Sequence, residues 1–590
     1  MPPEPRRVDG WIGFGVLLAA GVSLPLLTRD SYHLDVATVI LRNLLLTMSL
    51  RYVMSTGQLN MAHVSFMGIA AYASALLVTR AGWSFWAALA VAPLLAALAA
   101  VPMGRVALRV SGPYYFLISF AFLEVLRLVF NNFFVDYLGG PSGLVEIPPP
   151  HPLLLTGGAV TFIGKLAQYW LMLVLFLASA AVLIRLECSR FGLVNGAIRQ
   201  GELLAETLGV NVPRYKLGAF VLGAFFAGVA GVFFAHSQRV LHSSDFGLEP
   251  MVLLVVFTVI GGAGSVWGPV VGTLVLAVAS ELLRELHHYE LLVYGLVLMV
   301  VMLCFPDGLV ALPGRVARRF GWGGRRTGRP PWGPALLLEL REVGKRFGGL
   351  QAVAAFSMTV RAGTIHGLIG PNGAGKSTVF NLITGVLPVT SGEIHFKGER
   401  ISGLRPSEIC RRGIARTFQA TTFFREFTVL DNVMAASHLA VERGFVKTLL
   451  ATAGYRAREA AALARAQDLL DAVRLQDVAG RRAGTLPHRD QKALSLALVL
   501  ATGAGLVILD EPLAGLTTQE GEDAMRTLQA LRADGKTILL VEHDMRAVMG
   551  LCDVITVLDH GVRIAEGVPR DIQANPAVIE AYLGAEDTRA

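Results

Sequence analysis

Long apolar runs fill the first 306 residues, and short apolar stretches between charged ones fill the rest. Nearly uncharged runs cover 11–28, 52–79, 83–104, 166–184, 217–238, 250–280 and 291–306, with less clean segments around 34–50 and 113–133. Crossing the hydrocarbon core takes roughly 20 apolar residues in a helix, so the pattern predicts about eight to ten membrane helices. Run 250–280 is interrupted by "GGAGSVWGP" (261–269) and reads as two elements meeting at a Gly/Pro break. That break and "STGQLNMAHVSFMG" (55–68) are candidate pathway elements, because irregular backbone at membrane depth must be buried in protein or line a cavity. Close helix contact through small residues is the plainer alternative for both.

The pattern changes at 313–334, "PGRVARRFGWGGRRTGRPPWGP", where six Arg, six Gly and four Pro in 22 residues leave nothing to build a core. It reads as a linker with arginines near anionic headgroups. Beyond it, apolar strands alternate with amphipathic helices, as in an α/β domain. The expected organisation is therefore a polytopic all-α membrane domain over 1–312, the linker over 313–334, and an α/β domain over 335–590.

Composition sharpens this picture. The chain has 590 residues, too many for one ordinary core. It is 53% hydrophobic and 16% charged, and so greasy a chain turns its net charge of +8 away from nucleic acid and toward the flanks of membrane spans. Arg6 and Arg7 precede the first run, and Arg185, Arg190, Arg199, Arg214 and Lys216 crowd 185–216. Segment 134–168 has one Lys and no Arg. The first two regions are expected on the cytoplasmic side and the third outside. The N-terminus has the basic start and apolar run of a signal peptide, but no small-x-small site follows Leu27, so a retained first span is expected. Glu124 and Arg127 are spaced to pair, or to face headgroups at a helix end. The scattered Cys188, Cys304, Cys410 and Cys552 imply neither disulfides nor a zinc site.

The chemistry lies in the second half. "GTIHGLIGPNGAGKSTVFNLITG" (363–385) carries Gly370-x4-Gly375-Lys376-Ser377 between a strand-like run and a helix. Glycines let backbone amides wrap a phosphate, the lysine reaches the β and γ oxygens, and the serine hydroxyl ligates magnesium. Gly370, Asn372, Gly373, Gly375, Lys376, Ser377 and Thr378 are thus the candidates for holding ATP. "GLVILDEP" ends an apolar strand in Asp510, suited to the outer shell of Mg2+, and Glu511, suited to polarising the attacking water. "ILLVEHDM" places His543 where it can hold the γ-phosphate and that water.

With these residues in place, 336–585 resembles an ATP-binding cassette (ABC) subunit. The resemblance puts Gln419 of "GIARTFQ" at the loop glutamine that senses magnesium and the membrane domain, and Phe347 at the aromatic that stacks on adenine. "ARTFQATTFFREFTVLDNV" and "AEGVPRDIQANPAVIEAYLG" resemble an ATPase of bacterial branched-chain amino acid importers. "TGQLNMAHVSFMGIAAY", "LGGPSGL" and "VVFTVIGGAGSVWGPVVG" resemble the permease of the same systems, and "AIRQGELLAETLGVNVPRY" (197–215) resembles their cytoplasmic coupling loop, with Glu202, Ala205 and Gly209 in register. The resemblance implies a fused permease and ATPase in the bacterial inner membrane with the ATPase domain cytoplasmic. It implies ATP and Mg2+ as cofactors. It implies as partners a second permease, a second ATPase and a periplasmic binding protein, with branched-chain amino acids or related small polar solutes as cargo.

One stretch departs from the family. "GTLPHRDQKALSLALVL" (484–500) stands where such ATPases carry Leu-Ser-x-Gly-Gln, with Pro487 at the Ser, Arg489 at the Gly and Asp490 at the Gln. That segment grips the partner's ATP, and Pro487 offers it neither hydroxyl nor N–H. "LAGLTT" also puts Thr517 and Thr518 where Asn or Asp and then Pro are usual. These changes imply a distinct partner ATPase: this chain's own pocket works if the partner lends a normal signature, while the partner's ATP hydrolyses poorly. Other readings are an exporter half-transporter, a regulatory ATP-binding subunit with little turnover, and a copy whose signature drifted after function was lost.

Overall fold

The computed structural model describes residues 5–110, 112–155, 158–262, 264–282, 336–417, 422–440 and 445–583. The linker, run 291–306 and Gln419 fall outside them. The chain divides into two compact units, one of Met1–Arg199 with Pro213–Arg319 and one of Gln200–Val212 with Phe320–Ala590.

The first unit is helical. Its helices are α1 (Pro5–Leu27), α2 (Ser31–Met54), α3 (His63–Thr79), α4 (Phe85–Ala107), α5 (Pro113–Asn132), the short α6 (Val135–Leu138), α7 (Lys165–Glu187), α8 (Arg190–Gln200), α10 (Val212–Gln238), α11 (Leu248–Gly261) and α12 (Gly268–Leu282); the short α9 (Glu202–Thr207), which follows α8 in sequence, belongs to the second unit. A small hairpin, β1 (Leu153–Leu155) with β2 (Gly158–Val160), lies before α7. Among the described residues six helical stretches are long and apolar enough to cross a membrane, and three shorter apolar helices accompany them.

Parallel helices α2 and α7 are latched at both ends. Lys165 Nζ lies 2.6 Å from Asp35 Oδ1, and Arg51 Nη1 lies 2.8 Å from Glu187 Oε1. Run 250–280 does split in two, and its break is a close-packing device. A Cβ added at Gly261 would lie 1.7 Å from Gly268 O, and one at Gly272 would lie 2.0 Å from Phe257 O. Only bare backbone lets α11 and α12 approach this closely. Glu124 and Arg127 form their pair on α5, at 2.8 Å, about one-third exposed.

Run 52–79 also breaks, after Met54, with Gly57 in left-handed backbone (φ +84°). The polar connecting residues are buried rather than solvated, Gln58 at 6% and Asn60 at 1% exposed. Asn60 Oδ1 accepts from Ala62 N–H at 2.9 Å, and Ser119 Oγ accepts from Met61 N–H at 3.1 Å. Both polar atoms of the Gln58 amide are buried without a partner among the described residues.

The second unit is built on two sheets. Strands β5 (Ile365–Ile369), β8 (Ile414–Arg416), β9 (Leu506–Asp510), β10 (Thr537–Val541), β11 (Val554–Asp559) and β12 (Val562–Gly567) form one sheet in the order β12-β11-β5-β10-β9-β8. Its pairs are parallel except β11 with β12. Strands β5, β9 and β10 are buried throughout, which is why each reads as an unbroken apolar run. An antiparallel sheet of β3 (Leu336–Phe347), β4 (Leu350–Arg361), β6 (Ser391–Phe396) and β7 (Glu399–Arg400) packs into the same core through Leu338, Phe356, Phe380 and Leu558. The parallel sheet brings the ends of β5, β9 and β10 together, and the candidate chemistry follows directly after those ends.

Candidate nucleotide site

The loop after β5 is shaped by glycines that no other residue can replace. Gly370 sits at φ +153°, where a Cβ would lie 1.9 Å from Leu558 O, and Gly375 at φ +104°, where one would lie 2.7 Å from Ala352 O. Gly373, at φ +83°, faces open space. Asn372, Gly373 and Ser377 are exposed on that open side, with Thr378 half-buried behind them, and helix Lys376–Ile383 starts there. Helix N-termini offer unpaired N–H groups and partial positive charge to an anion.

Lys376 is 8% exposed and its ammonium donates to Gly370 O at 2.7 Å and Pro371 O at 2.9 Å. Burial lowers its pKa from the ordinary lysine value, while the charges of Glu511 and Asp510 pull the other way. A phosphate would meet a lysine already desolvated and held against the loop.

Asp510 ends β9 and is 4% exposed. Glu511 follows in left-handed backbone (φ +49°), unusual for a side chain with a Cβ, and its N–H is anchored on Val541 O at 2.9 Å. Its carboxylate Oε1 lies 3.1 Å from His543 Nε2. The sheet thus brings together Lys376, Asp510, Glu511 and His543, from three separate strand ends.

One residue singled out by the sequence stands apart from this cluster. Phe347 ends β3, 45% exposed, with Lys345 Nζ 5.1 Å from its ring centre. Gln419 lies outside the described residues.

The departures from the signature have clear local consequences. Pro487 is the N-cap of helix His488–Ala501 and makes no side-chain cap bond. Serine is among the best N-caps, so the chain forgoes that bond here. Arg489 is exposed and lines a cavity of ≈ 110 Å³ together with Lys492, Asp510, Leu516 and Glu520. Thr517, by contrast, caps helix Thr518–Ala533 in a reciprocal box with Glu520. It therefore keeps the capping role that Asn or Asp would have at the same place.

In the second unit, the short helix Glu202–Thr207 packs against helix Pro406–Arg412. Glu202 is exposed in its first turn, Ala205 is fully buried, and Gly209 turns the chain at φ +92°. Gly209 O accepts from Arg411 Nη2 at 3.4 Å, and Gln200 Oε1 accepts from Glu426 N–H at 2.8 Å. Burial raises the Glu206 carboxyl above its ordinary range, with Arg405 partly opposing.

Sequence reasoning passed over three polar residues that serve this site. Lys492 donates to Glu511 O at 2.7 Å, and Glu542 accepts from Leu513 N–H at 2.6 Å, bracing the backbone at Glu511 and just after it. Arg416 holds Asp510. The signal for Arg416 was a charge closing an apolar strand in "GIAR".

Comparison with known proteins gives the following. Residues 32–305 match the family model for the permease component of the branched-chain amino acid transport system, 353–514 the ABC transporter model, and 562–588 the model for the branched-chain amino acid ATP-binding cassette transporter. The high-affinity branched-chain amino acid transport ATP-binding protein BraF of Pseudomonas aeruginosa is 41% identical over 249 residues, 42% of this chain and 98% of that one. LivG of Escherichia coli K12, of the same description, is 41% identical over 249 residues with the same coverage. A probable LivG of Methanocaldococcus jannaschii is 31% identical over 255 residues, 42% of this chain and 97% of that one. A solved nucleotide-free ATP-binding cassette from an ABC transporter is 30% identical, covers 42% of this chain and all of that one, and gives a TM-score of 0.38.

Proposed function

This chain belongs to the branched-chain amino acid ABC transporter family, as a permease and an ATPase fused in one polypeptide, and from that premise we propose that it imports branched-chain amino acids or related small polar solutes. It is a multi-pass membrane protein with a cytoplasmic ATPase domain. The observation that carries the reading is the pairing, in one chain, of a permease with a complete set of phosphate-handling groups.

In the proposed cycle the loop 370–377 wraps the ATP phosphates, and Lys376 exchanges the carbonyls of Gly370 and Pro371 for β- and γ-oxygens. Phe347, exposed at the end of β3, offers its ring to the adenine. Ser377 and Asp510 supply the hard oxygen donors that Mg2+ prefers. No group of three His, Cys, Asp or Glu stands ready to cage a metal among the described residues, which suits an ion held largely by phosphate oxygens and water. The ion would neutralise charge on the β- and γ-phosphates. Glu511 polarises the attacking water, and His543, 3.1 Å from it, holds water and γ-phosphate in line. Gln419 reports the site's state toward the coupling helix Glu202–Thr207 with Ala205 and Gly209.

Pro487, Arg489 and Asp490 leave the partner's ATP without its usual grip, so the assembly uses a second, different ATPase, with a second permease and a binding protein that delivers cargo. In the membrane unit, the buried and unpartnered Gln58 amide is the proposed contact for the passing solute. Uptake of labelled leucine into proteoliposomes holding the full assembly, binding protein and internal ATP tests the reading. Leucine should accumulate inside, and Gln58→Leu should raise KM by up to about tenfold, the net worth of one hydrogen bond. ATP-dependent movement in the opposite direction would favour an exporter.

A further inference from the structure

Arg416 closes β8 with a buried charge. Its guanidinium donates from Nη2 to Asp510 Oδ2 at 2.7 Å and from Nη1 to Asn381 Oδ1 at 2.6 Å. The two side chains of the ion pair are 4% and 3% exposed, and the guanidinium carbon lies 5.2 Å from the centre of the Phe380 ring. Backbone contacts complete the arrangement. Thr417 N–H donates to Ile508 O at 2.9 Å, and Asp510 N–H donates to Thr417 Oγ1 at 3.2 Å.

A buried ion pair is a poor way to gain stability, because desolvation cancels much of the attraction and an apolar pair often serves as well. What this pair supplies is direction. It fixes one carboxylate oxygen of Asp510, and no hydrogen bond from a described residue engages the other. Asn381 follows Ser377 by four residues on helix Lys376–Ile383, so the two side chains share a face one turn apart. Arg416 therefore joins the strand end that carries Asp510 to the helix face that carries Ser377. A guanidinium near a metal also repels it, but its charge here is already neutralised by Asp510, which leaves orientation as the larger effect.

We infer that Arg416 is the positioning residue of the metal–nucleotide site: it aims Asp510 by holding one of its oxygens and keeps that carboxylate in register with Ser377 through Asn381. It touches neither nucleotide nor metal and acts through those two side chains. The inference rests on the reading of Ser377 and Asp510 as the metal side of the ATP site.

The test uses the purified full chain in lipid nanodiscs and the variants Arg416→Gln, Arg416→Lys and Asn381→Ala. Mn2+ binding to the ATP-loaded protein is read by electron paramagnetic resonance, nucleotide affinity in EDTA by a fluorescent analogue, and stability by thermal melting. Loss of a group that orients a metal ligand typically weakens the metal by 10- to 100-fold, and about tenfold is expected for Arg416→Gln. Arg416→Lys should recover part of the loss, and metal-free nucleotide affinity should be unchanged. Unchanged Mn2+ binding with a lowered melting point would overturn the inference and leave Arg416 a structural residue. If Arg416→Gln does not fold, Arg416→Lys and Asn381→Ala decide the question, since each loosens one arm of the bridge and keeps a cation or the ion pair. Ser377→Ala and Asp510→Asn serve as references. If Mn2+ binding survives both, the metal site itself is misread; if they weaken it and the Arg416 and Asn381 variants do not, only the positioning role fails.

Discussion

The chain's own nucleotide pocket and its signature face are built from neighbouring parts of one fold, yet they obey different rules. In the pocket each functional group is braced: Glu511 by Lys492 and Val541, Asp510 by Arg416, and the loop by glycines that admit no Cβ. At the signature face the helix starting at His488 has a proline cap with no side-chain bond, and Arg489 is exposed. Strain such as the left-handed Glu511 persists only where the surroundings over-determine it. The pocket has kept those surroundings. On the proposed reading, the signature face lacks the groups that would act on a second ATP.

The most drastic way to break this contrast is in the loop. Gly370→Ala places a methyl 1.9 Å from Leu558 O at φ +153°, so the loop cannot keep its shape. Binding of a fluorescent ATP analogue to this chain should be abolished, and retention of binding would mean that the loop is not the phosphate cradle.

Restoring the other face sharpens the comparison. With Pro487→Ser, Arg489→Gly and Asp490→Gln together, the partner's ATP should regain the ~10² to 10³ that one transition-state donor supplies. Measured in a Glu511→Gln background, where turnover rests on the partner's ATP, the gain should be plain. No gain would show that these three residues are not what silences that site.

The smallest effect separates the two caps. Thr517→Ala removes the reciprocal bond with Glu520 and should cost about 1 kcal/mol in denaturant unfolding of the ATPase domain. Pro487→Ala should cost almost nothing, because no side-chain cap bond exists to lose.

Much of this was legible in the sequence, for physical reasons. Apolar runs of membrane length and buried strands such as "LVILD" advertise themselves, and "GPNGAGKST" fixes its own loop through glycine and lysine. The double-glycine break at 261–262 signalled a discontinuity, though its use for backbone contact needed the facing helix. Bridges across the sheet were not legible. Arg416 meets Asp510 across 94 residues of chain because β8 and β9 lie parallel in a register that no local pattern encodes. The capping role of Thr517 was likewise not legible from family likeness; it emerges only from its reciprocal bonds with Glu520 at the start of the next helix.

The two ATP sites of the assembly are proposed to be unequal. The direct measurement is ATPase turnover of the assembly in lipid, comparing Glu511→Gln in this chain with the same change in the partner ATPase. Glu511→Gln is expected to lower turnover by about 10² to 10⁴, the worth of a positioned general base, while the partner's change leaves most of it. A partner change that abolishes turnover, with Glu511→Gln nearly silent, would reverse this assignment and make this chain a permease with a nucleotide-binding brace.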